Sequence, residues 1–549
     1  MLHYSSTATT FDEALELSRK SHERGQLRYA PFFAFFSSRV NPADENSPLS
    51  TPIHNLDDDS LFNIFYFCRP KIFDENQDRD NRIIRGDGWA RECWWYKPVQ
   101  ACQRWRRLIL ESASYLRLCL VCTHGTPVRE MLVHSPPFPL VIDLNDANRV
   151  LTTADEEGIT LALQHRDRVR SIHLEASAPS LKRLVASIDD EFPVLEYMHV
   201  APQTRHSGRL TLPPTFEAPH LRHLVLYHFA SPLGSPLLTT ATGLVTLLLR
   251  WIHPSSYPHP NNLLETLVHL PQLETLQIGF RSPVSNHDIK IKLWEKRVIT
   301  HVTLPHLHWF SFAGVSAFLE ALLPHMTTPR LVTLKVHFFN QLSYHLSRLL
   351  RFITTTGISL RFSTARFCFH DGRVAVWVYP HSETTVVAFY VHVLCEQFDW
   401  QVSSMADIFC VLEPAFSLVA DLTLDYAEHS VTSEWHNQAS STLWRRLLGS
   451  FGNIKTFSVQ RRLVGDLTRS SQLDEHEGPP LSSELLPELK ELVCPRTRSG
   501  DETFAPFIDK RRDAGRPTDL ISSAFLGRNY AVQSSAGLQT VSTVDDDAR

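Results

Sequence analysis

The 549-residue chain lacks the features that mark several large protein classes. It has no long apolar run. Stretches such as Leu244–Leu249 fall far below the ~20 residues a membrane-spanning helix requires, so no membrane span is expected. It has no excess of basic residues: 54 Lys and Arg against 59 Asp and Glu leave a formal net charge of −5. That balance supplies no basic field for nucleic acid, which is excluded as an expected partner. The nine cysteines form no tight framework and predict reduced thiols in an intracellular setting. Met1-Leu2-His3-Tyr4-Ser5 carries no basic segment followed by an apolar one. No signal peptide is expected, and a cytoplasmic or nuclear location is predicted.

Signatures of chemistry are missing as well. There is no Gly-x-x-x-x-Gly-Lys phosphate loop, no Gly-x-Gly-x-x-Gly turn, no His-Glu-x-x-His helix and no Gly-x-Ser-x-Gly elbow. Gly449-Ser450-Phe451-Gly452 is one residue short of the elbow and reads as a helix C-cap followed by a turn. Cys119-Leu120-Val121-Cys122 has no second Cys-x-x-Cys to complete a zinc site. The alternation from Leu116 to Cys122 predicts a strand with small buried thiols. Among 28 histidines, the groups His220/His223/His228 and His301/His306/His308 invite a metal reading. Strand periodicity puts His306 and His308 on one face and leaves His301 outside, so surface or rim histidines are the better reading. Asp57-Asp58-Asp59 suits the start of a helix better than a metal or acid/base site. No catalytic residue, metal or cofactor is expected, and the chain is read as a non-enzyme.

What is present is a repeat. Pro193-x-Leu195-x-x-Met198-x-Val200 recurs at Pro219/Leu221, Pro271/Leu273, Pro305/Leu307, Pro329/Leu331 and Pro487/Leu489. Copies without the proline begin at Val169, Leu244, Val419 and Ile454. Successive copies are 23 to 35 residues apart, with one step of 88. Apolar alternation predicts a half-buried strand in each copy, with the proline beginning it where no donor is needed. Helices are predicted between strands, at 178–191, 261–269, 316–325, 344–355 and 400–415. A doubly wound α/β domain would space its strands similarly. The six proline-led copies favour a solenoid with irregular repeats, close to the ~20–29-residue period of leucine-rich repeats.

The 88-residue step differs. Residues 365–369 and 373–379 alternate around His370-Asp371-Gly372, a hairpin signal, and 385–394 supplies a further strand. This region, within 357–400, is expected as an antiparallel insertion: a blade on the solenoid or a break between two sub-arrays. Near the C-terminus, a helix at 504–514 and a strand in 515–520 are predicted, followed by a disordered tail, 521–549. Residues 1–52 read as an extension with one helix from Phe11 to about Glu23, an apolar run at Phe32–Phe36 and a linker.

Between extension and repeats lie two amphipathic pieces. In the first, after Asn55-Leu56 and the acidic run, Leu61, Ile64, Phe65 and Cys68 fall on one helical face. In the second, after Pro98, Val99, Cys102, Trp105 and Ile109 recur at similar spacing, with Arg104, Arg106 and Arg107 outside the stripe. The pattern over 53–120 resembles an F-box: a leucine-acidic start, an Ile-Phe pair one turn on, and a later Val-x-x-Cys-x-x-Trp helix. Asp57 stands where that family usually has proline, and residues 69–98 form a long insertion containing Trp89, Trp94 and Trp95. The order of F-box-like helices and then irregular leucine-rich repeats resembles a group of F-box proteins in basidiomycete fungi.

The resemblance implies an α/β protein made of an N-terminal helical F-box-like module (53–120) and an irregular leucine-rich-repeat solenoid (121–520). It implies docking on the Skp-type adaptor of a cullin–RING ubiquitin ligase, with the repeats holding a substrate protein of unknown identity. Leu56, Leu61, Ile64, Phe65, Val99, Cys102 and Trp105 would form or support the adaptor face. The alternative is a leucine-rich-repeat protein-binding scaffold outside any ligase. A hydrolase or transferase on an α/β fold would need a nucleophile–base pair in one cleft.

Overall fold

Each Pro-x-Leu copy folds as the same four-residue turn. The leucine N–H donates to the carbonyl three residues back: Leu195 to Phe192 (3.3 Å), Leu221 to Ala218 (3.1 Å), Leu273 to Leu270 (3.2 Å), Leu307 to Leu304 (3.3 Å), Leu331 to Thr328 (3.3 Å) and Leu489 to Leu486 (3.1 Å). Proline therefore occupies the second turn position, where its fixed φ is favourable. This corrects its expected place as the first residue of a strand. The strand starts two residues beyond the leucine. Two of the four copies without proline close the same turn, Leu244 onto Ala241 and Val419 onto Phe416, both at 3.0 Å, whereas Val169 reaches four residues back to His165.

The computed structural model describes residues 56–68, 94–145, 149–203, 210–230, 232–253, 257–281, 298–380, 386–426, 439–460, 463, 486–495, 498–513 and 515–523. The predicted extension 1–52 with its helix and Phe32–Phe36 run, residues 69–93 of the insertion, and residues 524–549 of the tail lie outside them. The chain forms two compact units, Met1–Leu221 and Arg222–Arg549. No described helix is long and apolar enough to cross a membrane.

The fold is mixed α/β with an extensive parallel sheet. In the first unit, β1 (Leu120–Cys122), β2 (Leu140–Leu144), β3 (Val169–Ala176) and β4 (Tyr197–Pro202) lie side by side and parallel. The predicted strand from Leu116 is shorter than expected. Leu116 ends a helical turn, and Arg117 follows in the left-handed region at φ 52°. Helices Thr153–Gln164 and Ala178–Ala186 follow β2 and β3. The second stops short of the predicted residue 191, capped at Ser187, and Asp189 and Asp190 instead take the Arg166 guanidinium.

In the second unit the strands are β5 (His223–Tyr227), β6 (Thr246–Ile252), β7 (Thr275–Phe280), β8 (Val302–Thr303), β9 (Trp309–Gly314), β10 (Met326–Thr327), β11 (Thr333–Phe338), β12 (Thr364–His370), β13 (Arg373–Tyr379), β14 (Phe389–Leu394), β15 (Asp421–Tyr426), β16 (Thr456–Val459), β17 (Glu491–Pro495) and β18 (Asp519–Ser523). Their order across the sheet is β5-β6-β7-β9-β11-β14-β13-β12-β15-β16-β17-β18, with β8 and β10 forming a separate parallel pair. Every pairing in that sheet is parallel except those of β13, which is antiparallel to β12 and β14.

The 88-residue step is thus neither a blade nor a break. From β11 the chain crosses to β12, three places further on, then turns back through β13 and β14 to fill the gap beside β11. Gly372, at φ +80°, makes the Asp-Gly turn. β18 extends the last pairing to Ser523, past the predicted start of the tail at 521, because Ile521 and Ser522 pair with Val493 and Cys494.

Alternation sorts the two sheet faces. Phe310 and Phe312 of β9 and Phe367 and Phe369 of β12 point into the core and are completely buried. Helices Ser316–Leu322, Phe398–Leu412 and Ser441–Gly449 bring Phe318, Phe398, Phe409 and Trp444 against them as edge-to-face, tilted or stacked aromatic contacts.

Candidate functional site

Helix Asp58–Cys68 begins where Asp57 accepts a hydrogen bond from the Ser60 N–H at 2.6 Å. That backbone bond, with the Ser60 hydroxyl, holds the Asp57 carboxyl below the usual carboxylate range. Of the predicted apolar stripe only Leu61 and Phe65 are buried; Ile64 is 39% exposed and Cys68 is exposed. The helix is too short to bury its whole apolar side against one neighbour, so half the stripe stays outside.

The second piece is not one helix. It turns from Pro98 to Ala101, breaks at Cys102 in extended backbone (φ −161°), and restarts as Gln103–Glu111. Cys102 leaves the expected stripe and caps the new helix, its Sγ accepting from Trp105 N–H at 3.5 Å. Arg104 ties the two helices by bonding the Asp58 carboxylate at 2.7 Å and the Leu56 carbonyl. Phe65 packs on Trp105 with ring centroids 5.1 Å apart. Trp95, fully buried, donates from Nε1 to the Cys119 carbonyl at 3.3 Å and so fastens the helices to the first strand.

The structure therefore brings Leu56, Leu61, Phe65, Cys102 and Trp105 together through Arg104 and the Phe65–Trp105 contact, with Val99 buried nearby. Leu61, Phe65 and Val99 are buried support; Ile64 alone of the seven is exposed. Sequence reasoning missed its neighbours Tyr66 (37% exposed), Phe67 (81%) and Tyr115 (59%). Tyr66 and Tyr115 lie 5.4 Å apart, and Phe62 is partly covered by Tyr115 at 5.0 Å. The helical pattern put Phe67 outside the stripe, and an aromatic outside a stripe was the available signal.

In the second unit, the sheet face away from the core carries a lateral row. Lys335 registers with Tyr390, Tyr390 with Trp377, Trp377 with Arg366, and Arg366 with Thr423. Lys335 Nζ sits 5.3 Å over the Trp309 ring, Trp377 lies 5.4 Å from Tyr390, and Arg366 pairs with Asp425 at 2.5 Å. Trp309, Lys335, Trp377 and Arg366 are half-buried, so part of each side chain reaches solvent.

Among the described residues, neither histidine group that invites a metal reading forms a cluster of possible ligands. His223 bonds Thr246 Oγ1 at 3.1 Å, and His301 faces His325 at 3.2 Å. Cys122 is deep in the core, where burial pushes its thiol up to about 12.

The class these features define is an α/β repeat protein with a helical module at the N-terminal end of its described part. No protein-family profile matches the chain, and no curated protein matches it. Among solved structures, the leucine-rich repeat-containing protein LegL7 from Legionella pneumophila is similar over 73% of this chain and 99% of its own, at 12% identity and a TM-score of 0.25.

Proposed function

We propose that this chain is the substrate-recognition subunit of an SCF-type cullin–RING ubiquitin ligase. In this reading the helices 58–68 and 103–111 are an F-box docking on a Skp-type adaptor, and the sheets are irregular leucine-rich repeats that hold a substrate protein. The observation that carries it is the small module in which Leu61, Phe65 and Trp105 form an inner layer while Ile64, Tyr66, Phe67 and Tyr115 stay outside. An apolar, aromatic patch on short packed helices suits a groove on a helical partner. The turn–strand–helix repeats support the second half. The chain performs no chemistry in this reading; it raises the effective concentration of substrate near a ubiquitin donor carried by other subunits.

Co-purification of the full chain with a Skp-type adaptor tests it. The wild type is expected to retain the adaptor and Phe67→Asp to lose it, with unchanged circular dichroism. A folded wild type that retains no adaptor defeats the reading. The Lys335–Tyr390–Trp377–Arg366 row favours a second reading, a protein-binding scaffold without a ligase; in that case protein ligands are captured through this row while the adaptor is not.

A further inference from the structure

The first unit holds a cluster that the adaptor reading does not use. Asp143 on β2 registers with His173 on β3, and His173 registers with His199 on β4. Glu175 is two residues along β3 and so on the same face. The flanking residues Ile142, Leu144, Ile172, Leu174, Met198 and Val200 are fully buried on the opposite side. The two imidazoles stack with centroids 4.3 Å apart and planes inclined by 18°. Glu175 Oε1 lies 3.5 Å from His173 Nε2 and 3.9 Å from His199 Nε2. One ligand atom from each of His173, Glu175 and His199 falls within 4.8 Å of the others. Asp143 Oδ1 stands 3.5 Å from the other ring nitrogen of His173, Nδ1.

The shortest of these separations, 3.5 Å, is long for a hydrogen bond and close to the spacing a shared ion imposes. The others, up to 4.8 Å, leave room for the ion to draw the side chains in. A well-formed N–H···O bond spans about 2.7–3.2 Å. Ligand atoms about 2.0–2.1 Å from a tetrahedral metal stand roughly 3.4 Å apart, from geometry alone. The environment points the same way. His199 is 1% exposed, and the Asp143 and Glu175 side chains are 8% and 20% exposed. Two carboxylates so placed call for a cation among them. Two imidazoles with one carboxylate is a donor set for a divalent first-row ion.

We propose that His173, His199 and Glu175 bind one divalent transition-metal ion, of which zinc is the type. Asp143, whose Oδ1 lies 3.5 Å from His173 Nδ1, is a positioning residue: a small shift on ion binding lets it accept from Nδ1–H and leaves Nε2 for the ion, the carboxylate–histidine–metal arrangement. The fourth position is open to water or to a side chain of a bound partner. The ion staples β3 to β4 and orders the sheet face between them. This inference stands apart from the adaptor reading, because none of its residues lies in the helical module.

The test is zinc titration of the full chain, stripped with chelator, in competition with a chromophoric chelator, together with thermal unfolding with and without Zn²⁺. The wild type is expected to take up one tightly bound zinc and to melt higher with it. Glu175→Gln keeps the side chain's shape and is expected to weaken zinc binding more than tenfold and to abolish the thermal shift. Asp143→Asn is expected to weaken it by roughly ten- to a hundredfold. His325→Ala, at the separate His301–His325 pair, leaves binding unchanged. His199→Ala removes a buried group, so Glu175→Gln with a wild-type circular dichroism spectrum decides the matter if that variant fails to fold. Equal zinc affinity in wild type and Glu175→Gln, or no stoichiometric zinc in the wild type, overturns the proposal; the cluster is then a stacked histidine pair beside two carboxylates with no ion.

Discussion

The ring of Trp105 meets the buried ring of Phe65 edge to face, centroids 5.1 Å apart and planes at 73°. This contact joins two helices that are too short to be stable alone. Phe65→Ala is expected to cost about 3–5 kcal/mol locally, because a buried ring is replaced by a cavity. Hydrogen exchange of helix 103–111 should accelerate accordingly. Phe67→Asp, on the exposed side of the same helix, should leave that exchange unchanged. Equal effects from both substitutions would contradict the separation of supporting from docking residues.

The close approach at Gly314 yields a second expectation. A Cβ there would stand 2.8 Å from Phe312 Cζ and 2.9 Å from Phe280 Cδ2, both in buried rings. Gly314→Ala should destabilise by about 1–3 kcal/mol through overpacking. Chemical denaturation measures it, and a midpoint equal to the wild type's would refute the packing.

His392 sets a pH dependence. Burial first, then the nearby His337, Arg373 and His370, hold its imidazole well below the ordinary value. Above about pH 6.5 both folded and unfolded chains keep it neutral. As the pH falls below that, the unfolded chain binds a proton that the folded chain refuses, so stability falls with pH. The slope is at most ~1.4 kcal/mol per pH unit for one proton. His392→Gln should flatten the stability profile between about pH 6.5 and 5. An unchanged slope would show that the group titrates normally in the fold.

On the sheet face, in the proposed reading, Trp309→Ala combined with Trp377→Ala should weaken capture of a substrate protein tenfold or more, as expected for half-buried aromatic anchors. Adaptor retention should be unaffected. Quantitative mass spectrometry of material co-purified with wild type and variant measures both at once. Loss of the adaptor together with the substrate would mean that the variant is misfolded.

Periodicity made the repeat legible. A strand needs period-2 alternation, and each x-x-apolar-x-apolar copy supplied it, so the strands at His223, Thr275, Trp309 and Thr333 could be placed in advance. The candidate site was legible only in part. Leu61, Phe65 and Trp105 were visible because core contacts recur at helical spacing. Phe67 and Tyr115 were not, because exposure depends on what the neighbouring chain leaves uncovered. The positions of His173 and His199 were readable in principle, since each sits between the two apolar strand positions of its copy, whereas Asp143 lies on Leu140–Leu144, where no copy was predicted. Proposing the cluster required knowing that β2, β3 and β4 are neighbours in register.

By itself the amino-acid order determined local matters: where strands and turns fall, which residues face the core, and that Asp371-Gly372 reverses the chain. These depend on contacts within a few residues, which alternation and turn chemistry specify. The tertiary structure alone decided the rest. It inserted β12 to β14 into the sheet by a crossing and a return, it broke the helix at Cys102, and it gathered two histidines and two carboxylates from three strands. Each of these is set by long-range pairing and by competition for burial, and no short stretch of sequence encodes its outcome.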